Sequence, residues 1–157
     1  MGVDSAEIPN QPRIMGLDVG DRRVGVAVSD AMGLTAQPVM TLIRSNRRQD
    51  ARSLLRLVRK FACSQIVVGN PLYMSGDISP QAAKAQAFAQ MLREETGLPV
   101  HLWDERLTTT EAHRHLYAAG LAGSEHKKVV DQVAAVLILQ GYLDAKAIRA
   151  EHGTDRD

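Results

Sequence analysis

Apolar and polar positions alternate with two different periods along this chain, and the switches between them mark its elements. Residues 13–20, RIMGLDVG, and 22–29, RRVGVAVS, alternate small and large side chains as strands do, and Gly20-Asp21 between them signals a hairpin turn. Residues 37–43, QPVMTLI, predict a third strand with Pro38 near its start. Asn46 then opens a helix: Ala51, Leu54, Leu55, Val58, Phe61 and Ala62 fall at helical spacing, while Arg47, Arg48, Arg52, Arg56 and Arg59 line other faces. SQIVVG at 64–69 is a short buried strand that ends in glycine. After the loop NPLYMSGDIS, Ser79-Pro80 supplies a capping hydroxyl and a first-turn proline; Ala85, Phe88, Ala89 and Leu92 form that helix's inner stripe, and Gly97 ends it. LPVHLW at 98–103 predicts a further strand. Asp104-Glu105-Arg106 leads to Thr108, which with Glu111 makes a capping box for another helix. A glycine-punctuated loop, Gly120 to Glu125, precedes a final helix from about Lys127 to Ala145. Strands led by a hairpin and then alternating with helices imply an α/β fold, a mixed sheet covered by helices.

A length of 157 residues suits one domain with a real core. The leader 1–12 carries acids and prolines without an apolar signal core, and 146–157 is a charged stretch expected to fray, so function is expected within 13–145. No run approaches the roughly 20 apolar residues of a membrane span. The single cysteine, Cys63, excludes an intramolecular disulfide, reads as a small buried thiol, and fits a cytoplasmic location. Nineteen Lys and Arg against eighteen Asp and Glu mean that any affinity for nucleic acid must come from local basic charge.

Four acids stand out. Asp18 interrupts an apolar strand, with Gly16 and Gly20 on its own face, as if to clear space for a phosphate or a hydrated ion; a structural aspartate bonded to the turn is the plain alternative. Asp131 lies on an apolar helix stripe with Ala134, Ala135, Ile138 and Tyr142, where an acid is costly unless paired or metal-bound; Lys127 or Lys128, one turn back, could pair with it. Asp104 and Glu105 follow a strand and would point to different sides, so one of them is expected to join Asp18, although both could simply favour a helix start. Three carboxylates at one point repel by about 4 kcal/mol per pair at about 4 Å and an effective dielectric of about 20, which a bound cation or a shared proton must offset. Oxygen-only donors point to Mg²⁺ or Mn²⁺ rather than zinc, and His113 and His115, two apart on a helix, face different ways.

Four blocks, GLDVGDRRVGVAVSD at 16–30, IVVGNPLYMSG at 66–76, DERLTT at 104–109 and KKVVDQVAAVLILQGYLD at 127–144, resemble the YqgF, or RuvX-type, family in order and spacing. The resemblance covers nearly all of 13–145. It implies an RNase H-like fold with a mixed five-stranded sheet flanked by helices, and a nuclease site of acids equivalent to Asp18, Glu105 and Asp131. It also implies either maturation of the 5′ end of pre-16S rRNA or resolution of Holliday junctions. One loop departs from the family pattern, close to G-L-P-x-N-M-D-G: here Asn70 replaces the leucine, Tyr73 the asparagine and Ser75 the acid.

The expected mechanism is two-metal phosphodiester hydrolysis. Asp18 bridges ions about 3.5–4 Å apart, and Glu105 and Asp131 complete their shells. Arg22, Arg23, Arg106, Lys127 and Lys128 are the candidates for holding phosphates, with a solvated surface as their alternative. Tyr73 is the candidate for stacking on a base, whereas Trp103 reads as core. The partner is therefore nucleic acid, structured RNA before branched DNA. A binding module with a vestigial site is a rival that the three intact acids oppose. A sugar-kinase-like or actin-like ATPase shares the G-x-D-x-G turn but needs a second domain.

Overall fold

The computed structural model describes residues 12–107 and 124–152, without the side chains of 124–129 and 151–152. Strands β1 (Arg13–Val19), β2 (Arg23–Ser29) and β3 (Ala36–Ile43) lead into helix α1 (Arg47–Phe61). Strand β4 (Cys63–Asn70), helix α2 (Pro80–Thr96) and strand β5 (Val100–Asp104) follow; a 3-10 turn (Glu105–Leu107) and helix α3 (Ser124–His152) complete the described chain. The sheet order is β3-β2-β1-β4-β5. β1 pairs antiparallel with β2, and β2 with β3; β1, β4 and β5 run parallel. This is the mixed, helix-covered sheet expected from the sequence pattern.

The local reasons match the punctuation. The Asn46 side chain accepts from the Gln49 amide and caps α1. Ser79 accepts from the Ala82 amide and donates to the Pro71 carbonyl, so one hydroxyl starts α2 and fastens the loop before it. Gly97, at φ 72°, ends α2 in the left-handed conformation. Pro38 sits on the edge strand β3, beside a register shift that a proline without an amide proton tolerates there.

Helices cover both faces. On one face Met15, Leu17, Val26, Ile66 and Val68 pack with Leu54, Val58, Phe88 and Leu92 of α1 and α2. Cys63 belongs to this core, and burial pushes its thiol up to about 11. On the other face Ile14, Ala27 and Val67 pack with Ala135, Ile138, Leu139 and Leu143 of α3. Gln140 ties α3 to β3, accepting from the Ala36 amide and donating to the Leu34 carbonyl.

Glycines let α3 lie directly on the sheet. A β-carbon at Gly16 would come 2.6 Å from the Leu139 β-carbon, and one at Gly25 would run into the Asp131 carbonyl oxygen. The sequence expectation for Gly16 is thereby corrected: it makes room for a helix rather than for a phosphate or an ion. The C-terminal expectation also changes, because α3 continues past Ala145 to His152. Residues 145–151, AKAIRAE, are good helix formers and the first breaker is Gly153. The expected capping box at Thr108, the loop at Gly120, and residues 1–11 and 153–157 lie outside the described residues.

Gly25→Ala should lower unfolding stability by about 3 kcal/mol or more, because the obstacle is helix backbone that cannot rotate aside. Gly97→Ala, with nothing within 4 Å of the added carbon, should cost only the left-handed strain of about 1 kcal/mol. Equal losses for the two variants in urea titrations would contradict the close approach.

Candidate active site

The site sits where β1 and β5 finish and α3 crosses. Asp18, near the end of β1, is the ladder partner of Gly25 on β2. Partners in an antiparallel pair point to the same face, so Asp18 faces α3. The α3 backbone rests on Gly25 through Asp131. These two contacts bring Asp131 beside Asp18.

Glu105 arrives from the other direction. β5 ends at Asp104, and the 3-10 turn rotates the next side chain inward. A β-carbon at Gly69 would lie 2.6 Å from Glu105 Oε2, so that glycine is the floor on which the carboxylate rests. Asp104 takes another course, in a two-pronged pair with Arg106: Nε to Oδ1 at 3.0 Å and Nη2 to Oδ2 at 2.6 Å. That pair holds the Asp104 carboxyl below the usual carboxylate range. The two neighbouring acids thus part, as expected, and Glu105 is the one that joins Asp18.

Electrostatics mark the pair. Burial, and then the charge of Asp131, raise the Asp18 carboxyl to about 6. Burial, then Asp18, then Asp104, raise Glu105 to about 7. Both carboxylates are therefore desolvated and repelled by neighbouring acids. An oxygen-only donor set held in this way fits a hard divalent ion such as Mg²⁺ or Mn²⁺. Asp131 is the exception: its Oδ2 accepts from Arg23 Nε at 3.0 Å. Among the described residues, no three His, Cys, Asp or Glu side chains are gathered so as to hold a metal ion. The acids share one side of the sheet, but the third is turned to an arginine.

The other sequence-chosen residues divide. Arg23 is that arginine. Arg22 is exposed on the hairpin and lines, with Gly20, Asp21, Arg23 and Asp131, a cleft of about 270 Å³. Arg106, besides holding Asp104, donates to the Met74 carbonyl and so clamps the 71–78 loop to the end of β5. Tyr73 is exposed at the tip of that loop, next to Met74, which is 84% exposed. Lys127 and Lys128 lie in the first turns of α3, and their side chains are outside the described residues. Trp103 packs edge-on against Tyr142 at 6.3 Å in the α3-side core, as expected. A larger cleft of about 450 Å³ lies between α1 and α2, but its cations Arg44, Arg47 and Lys84 each pair with a carboxylate.

Gly25, Gly69 and Arg44 escape the sequence reading. Arg44 donates to the Gly20 carbonyl at 2.8 Å and braces the turn that follows Asp18. The two glycines did carry a signal: Gly25 interrupts a run of valines and Gly69 follows directly on Ile66-Val67-Val68, a mark of close approach by something else.

Strand order and facing define an RNase H-like α/β domain with a carboxylate site at the ends of its parallel strands. RuvC from Thermus thermophilus shares the fold: bound to a Holliday junction substrate it superposes with TM-score 0.56 at 14% identity, covering 92% of this chain and 98% of that one. Another Thermus thermophilus RuvC structure gives 0.54 at 15% identity, covering 90% and 97%. The chain belongs to the RuvX family, described as Holliday junction resolvase, whose model matches residues 12–145. Relatives from Clostridioides difficile (48% identical, covering 85% of this chain and 95% of the relative) and Moorella thermoacetica (52%, covering 84% and 94%) bear the name "Putative pre-16S rRNA nuclease".

The raised carboxyls fix a direction for pH dependence. Between about pH 4 and 7 the folded protein binds more protons at Asp18 and Glu105 than the unfolded chain does, so their contribution to stability falls as pH rises through about 7. Asp18→Asn should therefore exceed wild type at pH 8, by on the order of 2–3 kcal/mol, and match it near pH 4. Urea denaturation at the two pH values checks this, and a variant no more stable than wild type at pH 8 would remove the case for a strained pair.

Proposed function

We propose that this chain is a metal-dependent endonuclease that hydrolyses phosphodiester bonds in structured nucleic acid, with the 5′ end of pre-16S rRNA as its processing target in the cytoplasm. The observation that carries the reading is the desolvated carboxylate pair of Asp18 and Glu105 on a floor of glycine at the sheet edge. The names of the half-identical relatives support the choice of substrate. That no helix among the described residues is long and apolar enough to cross a membrane is compatible with this reading.

Asp18 and Glu105 would hold the ion, with Asp131 beside them. When bound, Mg²⁺ or Mn²⁺ supplies the positive charge that activates water and stabilises the leaving 3′ oxygen. The chain's own part is orientation. Arg44 braces the Gly20 turn, Gly25 and Gly69 fix the spacing, and the pairing of Arg106 with Asp104 leaves Glu105 to face the site. Arg22 in the cleft, with Lys127 and Lys128 at the start of α3, would hold phosphates of the flanking chain, and exposed Tyr73 would stack on an unpaired base. A second reading, cleavage of branched DNA, is favoured by the family's description as Holliday junction resolvase.

Three outcomes are expected. A hundredfold excess of Mg²⁺ over its dissociation constant should stabilise wild type by about 2.7 kcal/mol, and Asp18→Asn should lose most of that gain. In cleavage assays with matched precursor rRNA and four-way DNA junctions, Asp18→Asn should stop cutting while binding is retained or tightened, because a negative charge facing phosphate is gone. Replacing Lys127 and Lys128 with Ala should instead weaken binding and flatten its salt dependence, by about 0.7–0.9 in logarithmic slope per lost contact. Cleavage by pure Asp18→Asn protein at the wild-type rate would refute the mechanism, and cutting confined to the junction would move the substrate to DNA.

A further inference from the structure

The third acid is the anomaly of this site. Asp131 cannot approach further as a whole, because its carbonyl already rests on Gly25. Only rotation of its side chain can carry the carboxylate toward Asp18 and Glu105, and Arg23 holds that side chain at 3.0 Å. Arg23 is anchored at its root, where its carbonyl accepts from the Gly20 amide at 2.8 Å. Its long side chain, by contrast, opens on the 270 Å³ cleft shared with Arg22 and Asp131. Both partners are partly buried, so their attraction is screened less than that of a surface pair.

Turning Asp131 inward has two costs. It breaks a charge-assisted hydrogen bond to Arg23 and adds repulsion to a pair already crowded by like charge. A divalent ion alone must offset both. A phosphate that draws the guanidinium away removes the first cost, since a guanidinium is well shaped to grip phosphate oxygens at two points.

We propose that Arg23 is a positioning latch: it keeps Asp131 off the Asp18–Glu105 pair until a nucleic-acid phosphate takes the guanidinium, so substrate binding completes the metal site. The inference rests on the metallonuclease reading and adds its order of assembly. Coupling of this kind is reciprocal, so metal tightens nucleic acid by the same factor that nucleic acid tightens metal.

The test reads Mn²⁺ affinity of the full chain from the spectroscopic signal of free Mn²⁺, with and without a cleavage-resistant 2′-O-methyl RNA duplex. Wild type should bind Mn²⁺ about fivefold tighter with the duplex, at the low end of ordinary coupling between sites. Arg23→Ala should bind about fivefold tighter than wild type without RNA and gain less from adding it, while Arg23→Lys, which keeps a cation near Asp131, should fall between them. The gain should vanish when Asp131→Asn is already present, the double-mutant signature of an effect exerted through that carboxylate. An Arg23→Ala gain that persists beside Asp131→Asn would reveal a mere change of net charge and overturn the latch, as would unchanged affinity in Arg23→Ala. Wild type that binds no Mn²⁺ with or without RNA would instead sink the metallonuclease reading, and the latch with it.

Discussion

Backbone-to-backbone contact between α3 and β2 at Gly25 is the constraint on which the site depends. Helices usually meet sheets through a layer of side chains, and there a carboxylate on the helix would stand well above one on a strand. With no side chain at Gly25, the Asp131 carbonyl comes down onto the strand, level with the ladder partner Asp18. Gly16 extends the approach beneath Leu139, and Gly69 extends it beneath Ile138 and Glu105. The same contacts that bury the apolar side of α3 therefore gather the acids, and packing and chemistry cannot be altered separately along this line.

This proximity sets the energetics. Burial is the larger cause of the raised carboxyls at Asp18 and Glu105, and the charge of a neighbouring acid adds to it, Asp131 for Asp18 and Asp18 for Glu105. A structural network would be expected to satisfy such groups. Asp104 shows the contrast, one residue away, with an arginine fork that lowers its carboxyl instead. The chain thus compensates Asp104 with an arginine and leaves Asp18 and Glu105 buried among like charge, a pattern common at sites where groups are tuned for a ligand.

Much of this was legible in the sequence because it depends on local patterns. The hairpin at Gly20-Asp21 and the caps at Asn46 and Ser79 are short-range signals, and each marks an observed boundary, while the strand expected to end at Gly69 runs one residue further, to Asn70. Asp18 and Asp131 stood out as acids among apolar neighbours, and Glu105 by following a strand. What the chain did not disclose is long-range. Lys127 and Lys128 are the partners that helical spacing offers Asp131; the structure adds Arg23, 108 positions away and brought in by the crossing at Gly25, a pairing no local pattern announces. Gly16 was read by its neighbour Asp18, but the deciding neighbour is Leu139. The extension of α3 beyond Ala145 was missed for another reason: its charged residues resemble a tail, although their helix propensity is high.

Topology explains why so many of these groups meet at one edge. β1, β4 and β5 run parallel, so Asp18, Asn70 and Asp104 all lie where their strands end, and Glu105 begins the turn beyond. Open α/β sheets place their ligand crevices at such carboxyl ends. The antiparallel β2 adds something that a parallel strand could not. It starts where β1 finishes, so its first residue, Arg23, stands at the same edge as Asp18 and, sharing Gly25's face, beneath the same helix. A parallel neighbour for β1 would have delivered a strand end there and required a crossover to reach it. The tight hairpin instead places a cation within one turn of the first acid in sequence and against the last acid in space. The arginine that restrains Asp131 is thus a direct consequence of how the sheet begins.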